Sequence, residues 1–163
     1  MNFSTYILKW YNLNKRDLPW RMNQDPYFVW LSEIILQQTR ISQGTSYYLK
    51  FVDKYPNIKS LASASENDIL LLWQGLGYYS RARNLLKSAK IINKKFNNKI
   101  PCSYDELIDL PGVGNYTANA ILGIAFNKSV MPLDANIERI LVRLHAIDKP
   151  IIKVKKDLRY LAD

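Results

Sequence analysis

Three places in the sequence hold residues whose types and spacing suit chemistry. The first is Leu110-Pro111-Gly112-Val113-Gly114, a proline and two glycines between two apolar, helix-like runs. Two glycines around one valine predict a turn that needs a positive φ or admits something close to its backbone. A helix starting directly after it presents consecutive N–H groups and a dipole end that favour an anion, most simply a phosphate. An ordinary tight turn between packed helices is the alternative. The second place is Glu33, inside the almost wholly apolar "YFVWLSEIILQQT", with Trp30, Ile34, Gln37 and Arg40 near its face at helical offsets. A carboxyl among apolar groups is desolvated, its pKa rises, and it becomes a proton donor near neutral pH. A glutamate on a helix rim, exposed or salt-bridged, fits the same residues. The third is Asp134, just before the run 135–145. It reads first as an N-cap, where helix-terminal N–H groups favour a charged carboxylate. One carboxyl kept protonated and one kept charged can divide acid and electrostatic work between them.

Composition narrows the partners. The chain has 163 residues, 48% hydrophobic and 23% charged, enough for one globular domain with a substantial core. A net charge of +9, from 23 basic and 14 acidic residues, makes an anionic partner such as nucleic acid plausible, with a basic solvated surface as the alternative. Cys102 and His145 are the only residues of their kinds, which excludes an internal disulfide framework and any multi-cysteine or histidine-rich metal site. No apolar run is long enough to cross a membrane. The first twenty residues do not read as a signal peptide, because polar residues and Lys9 interrupt a short apolar part.

The elements that must hold these residues read as helices. Phe3, Ile7, Trp10 and Tyr11 recur at near-helical intervals after Ser4, a cap candidate. Asp25-Pro26 supplies an N-cap acceptor and a first-turn proline before an apolar helix that must be buried on most sides. A further helix runs through "SQGTSYYLKFVDKY" toward Pro56. Ser65 with Asp68 resembles a capping box before "ILLLWQ", and Gly75 and Gly77 end that helix. From Ser80 to Phe96, Ala82, Leu85, Leu86, Ala89 and Ile92 form one stripe, while Lys87, Lys90, Lys94 and Lys95 face water. Ser103 and Glu106 open a short helix before the glycine turn. Helices then follow over 115–126 and after Asp134, and "KVKKDLRYLAD" reads as a last helix that stops without a cap, as a fragment would. Strand alternation and internal repeats are lacking, so the class is all-α, with eight to ten helices and short connections.

Four stretches, "DPYFVWLSEIILQQT", "WQGLGYYSRARNL", "LPGVGNYTANAIL" and "PLDANIERIL", occur in the order seen in adenine DNA glycosylases of the MutY type. The sequence resembles these helix-hairpin-helix DNA glycosylases from about Trp10 to Leu161. The resemblance implies a single catalytic domain over 1–163. A six-helix-barrel lobe would span about 24–133, with the helix-hairpin-helix at 104–126, and 1–23 and 134–163 would contribute to an incomplete second lobe. It implies hydrolysis of the N-glycosidic bond of adenine mispaired with 8-oxoguanine or guanine, in double-stranded DNA, by a monomeric, non-membrane protein of the bacterial cytoplasm, associated with the nucleoid. In that family Glu33 matches the acid that protonates the base and then helps activate water. Asp134 matches the carboxylate that stabilises the positive sugar, or traps it covalently. Asn136 matches the residue that orients aspartate and sugar. Gln37, Gln38 and Tyr78 match positions that enter or border the DNA stack beside an extruded base. Gly112, Val113 and Gly114 match the hairpin that meets phosphate through its amides.

Tyr116 distinguishes this chain from endonuclease-III-like relatives, which carry a lysine there whose amine attacks the sugar. Tyrosine forms no imine, so the resemblance implies a monofunctional enzyme with water as nucleophile. Tyrosine also occurs here in some thymine-mismatch glycosylases, so a G·T thymine glycosylase stays open, as does a non-catalytic DNA-binding remnant. Arg81 and Arg83 read as a charged solvent face, with phosphate contact as the alternative. Two departures stand out. Ala135 replaces a glycine usual between the two polar residues, and the four cysteines that hold a [4Fe–4S] cluster in full-length relatives are absent from this sequence. A fragment and a shortened protein are both consistent with this.

Overall fold

The computed structural model describes residues 2–162. Its elements in order are α1 (Phe3–Asn14), a 3-10 turn (Pro19–Arg21), α2 (Pro26–Leu36), α3 (Ile41–Lys54), α4 (Ile58–Ala62) and α5 (Glu66–Trp73). Then follow α6 (Ser80–Lys95), α7 (Tyr104–Ile108), α8 (Asn115–Ala125), α9 (Ala135–Leu144) and α10 (Ile151–Ala162). Among the described residues there is no strand.

α2 is the axis of the main lobe. Asp25 Oδ1 accepts the Tyr27 N–H at 2.8 Å and Pro26 fixes the first turn, so the helix starts where its sequence says. Trp30, Leu31 and Ile35 are fully buried, and Tyr27, Val29 and Ile34 nearly so. Each large side chain so buried stabilises the fold by roughly 1.5–3 kcal/mol. α2 packs against α3, α6 and α8, α6 also against α4 and α5, and α7 against α8. α2 to α8 enclose one shared core. The short α4 was not anticipated, although its signal is plain: Asn57 and Ser60 cap each other's backbone in a complete capping box.

One expectation changes. The cap of α1 is Asn2, whose Oδ1 accepts the Thr5 N–H at 2.9 Å, and Ser4 lies inside the helix. A second, smaller core lies between α9 and α10. Leu141, Val154 and Leu158 bury one another between α9 and α10 in a small core of their own. Every residue of α1 is exposed, Trp10 at 59% and Leu13 at 86%, so α1 adds no buried residue to that core.

Candidate active site and DNA-binding face

The hairpin is α7, the turn Asp109–Gly114, and α8. Its turn needs glycine at one position. Gly112 has φ +81°, and a Cβ there would stand 3.0 Å from Asn84 Cβ on α6. Gly114 is extended, and a Cβ there would meet nothing within 4 Å. Its bareness therefore serves no internal contact and leaves open space over the start of α8. Gly114 is the N-cap of α8 and has no side chain to cap with, which leaves the first amides of α8 facing outward as donors. Val113 turns inward instead: its side chain is buried and its N–H donates to Leu110 O at 3.0 Å. Of the expected hairpin contacts, the Val113 amide is thus already engaged. Ser88 Oγ donates to Pro111 O at 2.8 Å, and Tyr104 OH to Asn115 Oδ1 at 2.7 Å, bracing the turn against α6 and α7.

Glu33, on the seventh-from-last position of the apolar run that ends at Thr39, lies against a cavity of about 370 Å³ that Tyr11, Trp20, Arg21, Ser32 and Tyr116 also line. Burial alone pushes its carboxyl up to about 7. Asp134 is the N-cap of α9. Its Oδ1 accepts the N–H of Asn136 at 3.0 Å and of Ile137 at 2.8 Å, and its Oδ2 accepts Asn136 Nδ2–H at 3.2 Å. Both oxygens are oriented, and Asn136 does part of the orienting. Asp134 opens onto a second cavity of about 490 Å³, shared with Gln37, Gln38, Tyr78, Arg81 and Tyr116.

Tyr116 lines both cavities and joins them. Its hydroxyl is pushed up to about 12, first by burial and then by the charges of Glu33 and Asp134. Two carboxylates from distant parts of the chain therefore act on one phenol. Shape does not single out this place, since hollows of about 500 and 510 Å³ open on other faces, lined without Glu33 or Asp134. The distinguishing feature is a protonatable carboxyl and an oriented carboxylate whose charges both reach one aromatic hydroxyl.

The other expected residues lie as follows. Gln38 and Tyr78 are exposed beside the second cavity, with φ of +53° and +49°. Gln37 works inside the protein, its Nε2 donating to Thr117 Oγ1 at 3.3 Å and Gly112 O at 3.4 Å. Arg83 pairs with Glu66 at 2.9 Å on the surface. Arg81 corrects the reading of a charged solvent face. It is buried, and its guanidinium donates to backbone carbonyls. His145 caps the end of α9 and is exposed. Sequence reasoning missed Tyr11, Trp20 and Arg21 as walls of the Glu33 cavity. Their signal is the Pro19-Trp20-Arg21 turn, which sets an aromatic and a cation side by side. The Arg21 guanidinium lies 5.7 Å from the Tyr11 ring centre.

The residues present do not fit an iron–sulfur cluster: Cys102 is an exposed, lone thiol before α7, and among the described residues no group of His, Cys, Asp and Glu gathers to hold a metal. No described helix is long and apolar enough to cross a membrane.

Adenine DNA glycosylase of Buchnera aphidicola subsp. Acyrthosiphon pisum is 47% identical over 155 residues, covering 94% of this chain and 44% of that protein. The chain thus spans less than half the length of the curated relative. A solved thermostable thymine-DNA glycosylase superposes with a TM-score of 0.79 at 31% identity, over 85% of this chain and 64% of that one. An endonuclease III in a non-covalent DNA complex superposes with a TM-score of 0.75 at 22% identity, over 97% of this chain and 77% of that one, a likeness of fold. The family model for HhH-GPD superfamily base excision DNA repair proteins matches residues 31–162, and the chain belongs to that superfamily.

Proposed function

We propose that this chain is the catalytic core of a monofunctional DNA glycosylase that hydrolyses the N-glycosidic bond of adenine mispaired with 8-oxoguanine or guanine. The carrying observation is Glu33, a carboxyl held near pKa 7 by burial and facing Tyr116 with Asp134 beyond. In this reading a base turned out of the duplex enters the Glu33 cavity. The Glu33 carboxyl gives its proton to a ring nitrogen of the base as the C–N bond breaks, so the bonding pair leaves on a neutral base. The sugar becomes cationic, and the oriented Asp134 carboxylate faces that charge. Glu33, now a carboxylate, takes a proton from the water that adds to the sugar carbon, which restores the acid and leaves an abasic site.

The hairpin amides and the +9 chain supply phosphate contacts, which position the duplex without reading its sequence. Double-stranded DNA with a mispaired or damaged base is accordingly the proposed partner. The adenine assignment follows the Buchnera relative, and the 31% identical thymine-DNA glycosylase structure supports the second reading, thymine from G·T pairs. Base release should be measured on A·8-oxoguanine, A·G and T·G duplexes. Release of adenine from the first two supports the leading reading, release of thymine alone replaces it, and binding without release leaves a DNA-binding remnant.

A further inference from the structure

Arg81 is a cation in the interior that forms no ion pair among the described residues. Its Nη1 lies within hydrogen-bond distance of Ile34 O (3.2 Å), Ile35 O (2.9 Å), Gln37 O (2.5 Å) and Thr39 Oγ1 (3.2 Å). Its Nη2 reaches Leu76 O at 3.3 Å and Gly77 O at 3.2 Å. The guanidinium also stacks near Trp73 and Tyr78, 5.1 and 5.8 Å from their ring centres. The carbonyls of Ile34 and Ile35 belong to the last turn of α2, whose final carbonyls lack helical donors and carry the negative end of the dipole. A planar fork of donors is the side chain that can serve two such ends at once, and burial without an anion is tolerable because several dipoles converge on it.

The two segments joined by this fork end in the same way. Gln38 follows Gln37, and Tyr78 follows Gly77. Both have a left-handed backbone, which is uncommon for residues other than glycine and most of all for long or bulky side chains. Both side chains stand exposed on the edge of the Asp134 cavity. Neighbouring bonds fix the second segment further: Tyr47 OH donates to Gln74 O at 2.7 Å, and Trp73 Nε1 to Gly77 O at 3.0 Å. Arg81 alone among these donors reaches both segments.

We propose that Arg81 is a positioning residue that presets Gln38 and Tyr78, from the two sides of one guanidinium, as a paired wedge against the DNA stack. The wedge's role in extruding a base rests on the glycosylase reading, whereas the clamp itself is in the geometry. A wedge held in advance fills the gap left by an extruded base without first being ordered, so the clamp raises the extruded fraction and leaves phosphate binding alone.

The test uses a duplex with 2-aminopurine at the target position, whose fluorescence rises when the base leaves the stack. With Arg81→Lys at saturating protein, the extruded fraction should fall about tenfold, since a compact ammonium cannot span both segments. Affinity for an ordinary duplex should stay within about twofold, because phosphate contacts are untouched. The discriminating arm repeats the substitution in a Gln38→Ala/Tyr78→Ala background. A residue acting through the wedge has nothing left to lose there, whereas a general loss of stability persists. If Arg81→Lys does not fold, Thr39→Val removes the one side-chain acceptor of the fork in nearly the same volume and should show a smaller loss with the same dependence on the wedge. Undiminished extrusion by a folded variant, an equal loss without the wedge, or no extrusion by the unaltered chain overturns the proposal. A chain that extrudes but hydrolyses nothing refutes the hydrolase reading and leaves the role of Arg81 standing.

Discussion

Replacing Glu33 by glutamine tests both the acid and the burial that makes it one. The folded carboxyl titrates at about 7 against 4.5 for a free glutamate. A carboxyl raised on folding binds more protons folded than unfolded between those two values, so stability falls as pH rises through that window and stays lower above it. The shift of about 2.5 units corresponds to about 3 kcal/mol at 1.36 kcal/mol per unit. Glutamine mimics the protonated acid and cannot ionise. Glu33→Gln should therefore match the unaltered chain below pH 4.5, exceed it by about 1 kcal/mol at pH 5, and by about 3 kcal/mol at pH 8. For a chain of this length that is roughly 6–12 °C in melting temperature at pH 8. Thermal melts of both proteins from pH 4.5 to 8.5 give the difference directly. Base release by the unaltered chain should decline as pH rises through about 7, with only about 3% of the acid still protonated at pH 8.5. Glu33→Gln should be inactive throughout. A stability difference that is flat with pH refutes the buried-acid argument, even if the variant proves inactive.

Three further outcomes follow from the site. Asp134→Asn should suppress single-turnover base release by a hundredfold or more, on the order seen when a charge-stabilising group is lost, while DNA binding persists; near-normal release would remove Asp134 from the chemistry. Tyr116 should give no borohydride-trappable imine with abasic DNA, and Tyr116→Lys should create some, because an amine there would sit beside the sugar; efficient trapping by the unaltered chain, mapped near Tyr116, contradicts the monofunctional reading. The hairpin glycines should separate: Gly112→Val destabilises the fold through its positive φ and the close Asn84 Cβ, whereas Gly114→Val folds normally by circular dichroism and weakens binding to every duplex alike. Normal DNA binding by folded Gly114→Val would reduce the turn to a connector.

Much of this was legible because local signals and tertiary packing agree. The Asp25-Pro26 start, the buried run after it, the stripe of α6 and the serine caps at 65 and 103 each specify an element that packing then uses. The N-cap duty of Asp134 was equally plain, and the structure shows that the same hydrogen bonds that cap α9 also aim its carboxylate. The status of Glu33 was not settled by its neighbours in sequence. An apolar helix can still show one polar rim, and whether Glu33 meets water depends on Tyr11, Trp20 and Tyr116, which line its cavity from other parts of the chain.

Arg81 shows why the remainder was hidden. Its position on α6, two residues before Arg83 and among lysines, fits an amphipathic helix with a wet face, and Arg83 does lie there, paired with Glu66. What buries Arg81 is a set of carbonyls from α2 and from the loop after α5, about 45 residues away for α2, whose donors were lost when those segments left the helix. Carbonyls carry no sequence signal, because every residue has one. The same blindness covers the left-handed φ of Gln38 and Tyr78, which glycine would have announced. Helix starts and apolar faces can be read from side chains, but the edge that carries Gln38 and Tyr78 is shaped by backbone groups seeking donors, and an arginine in the interior is where that search ends.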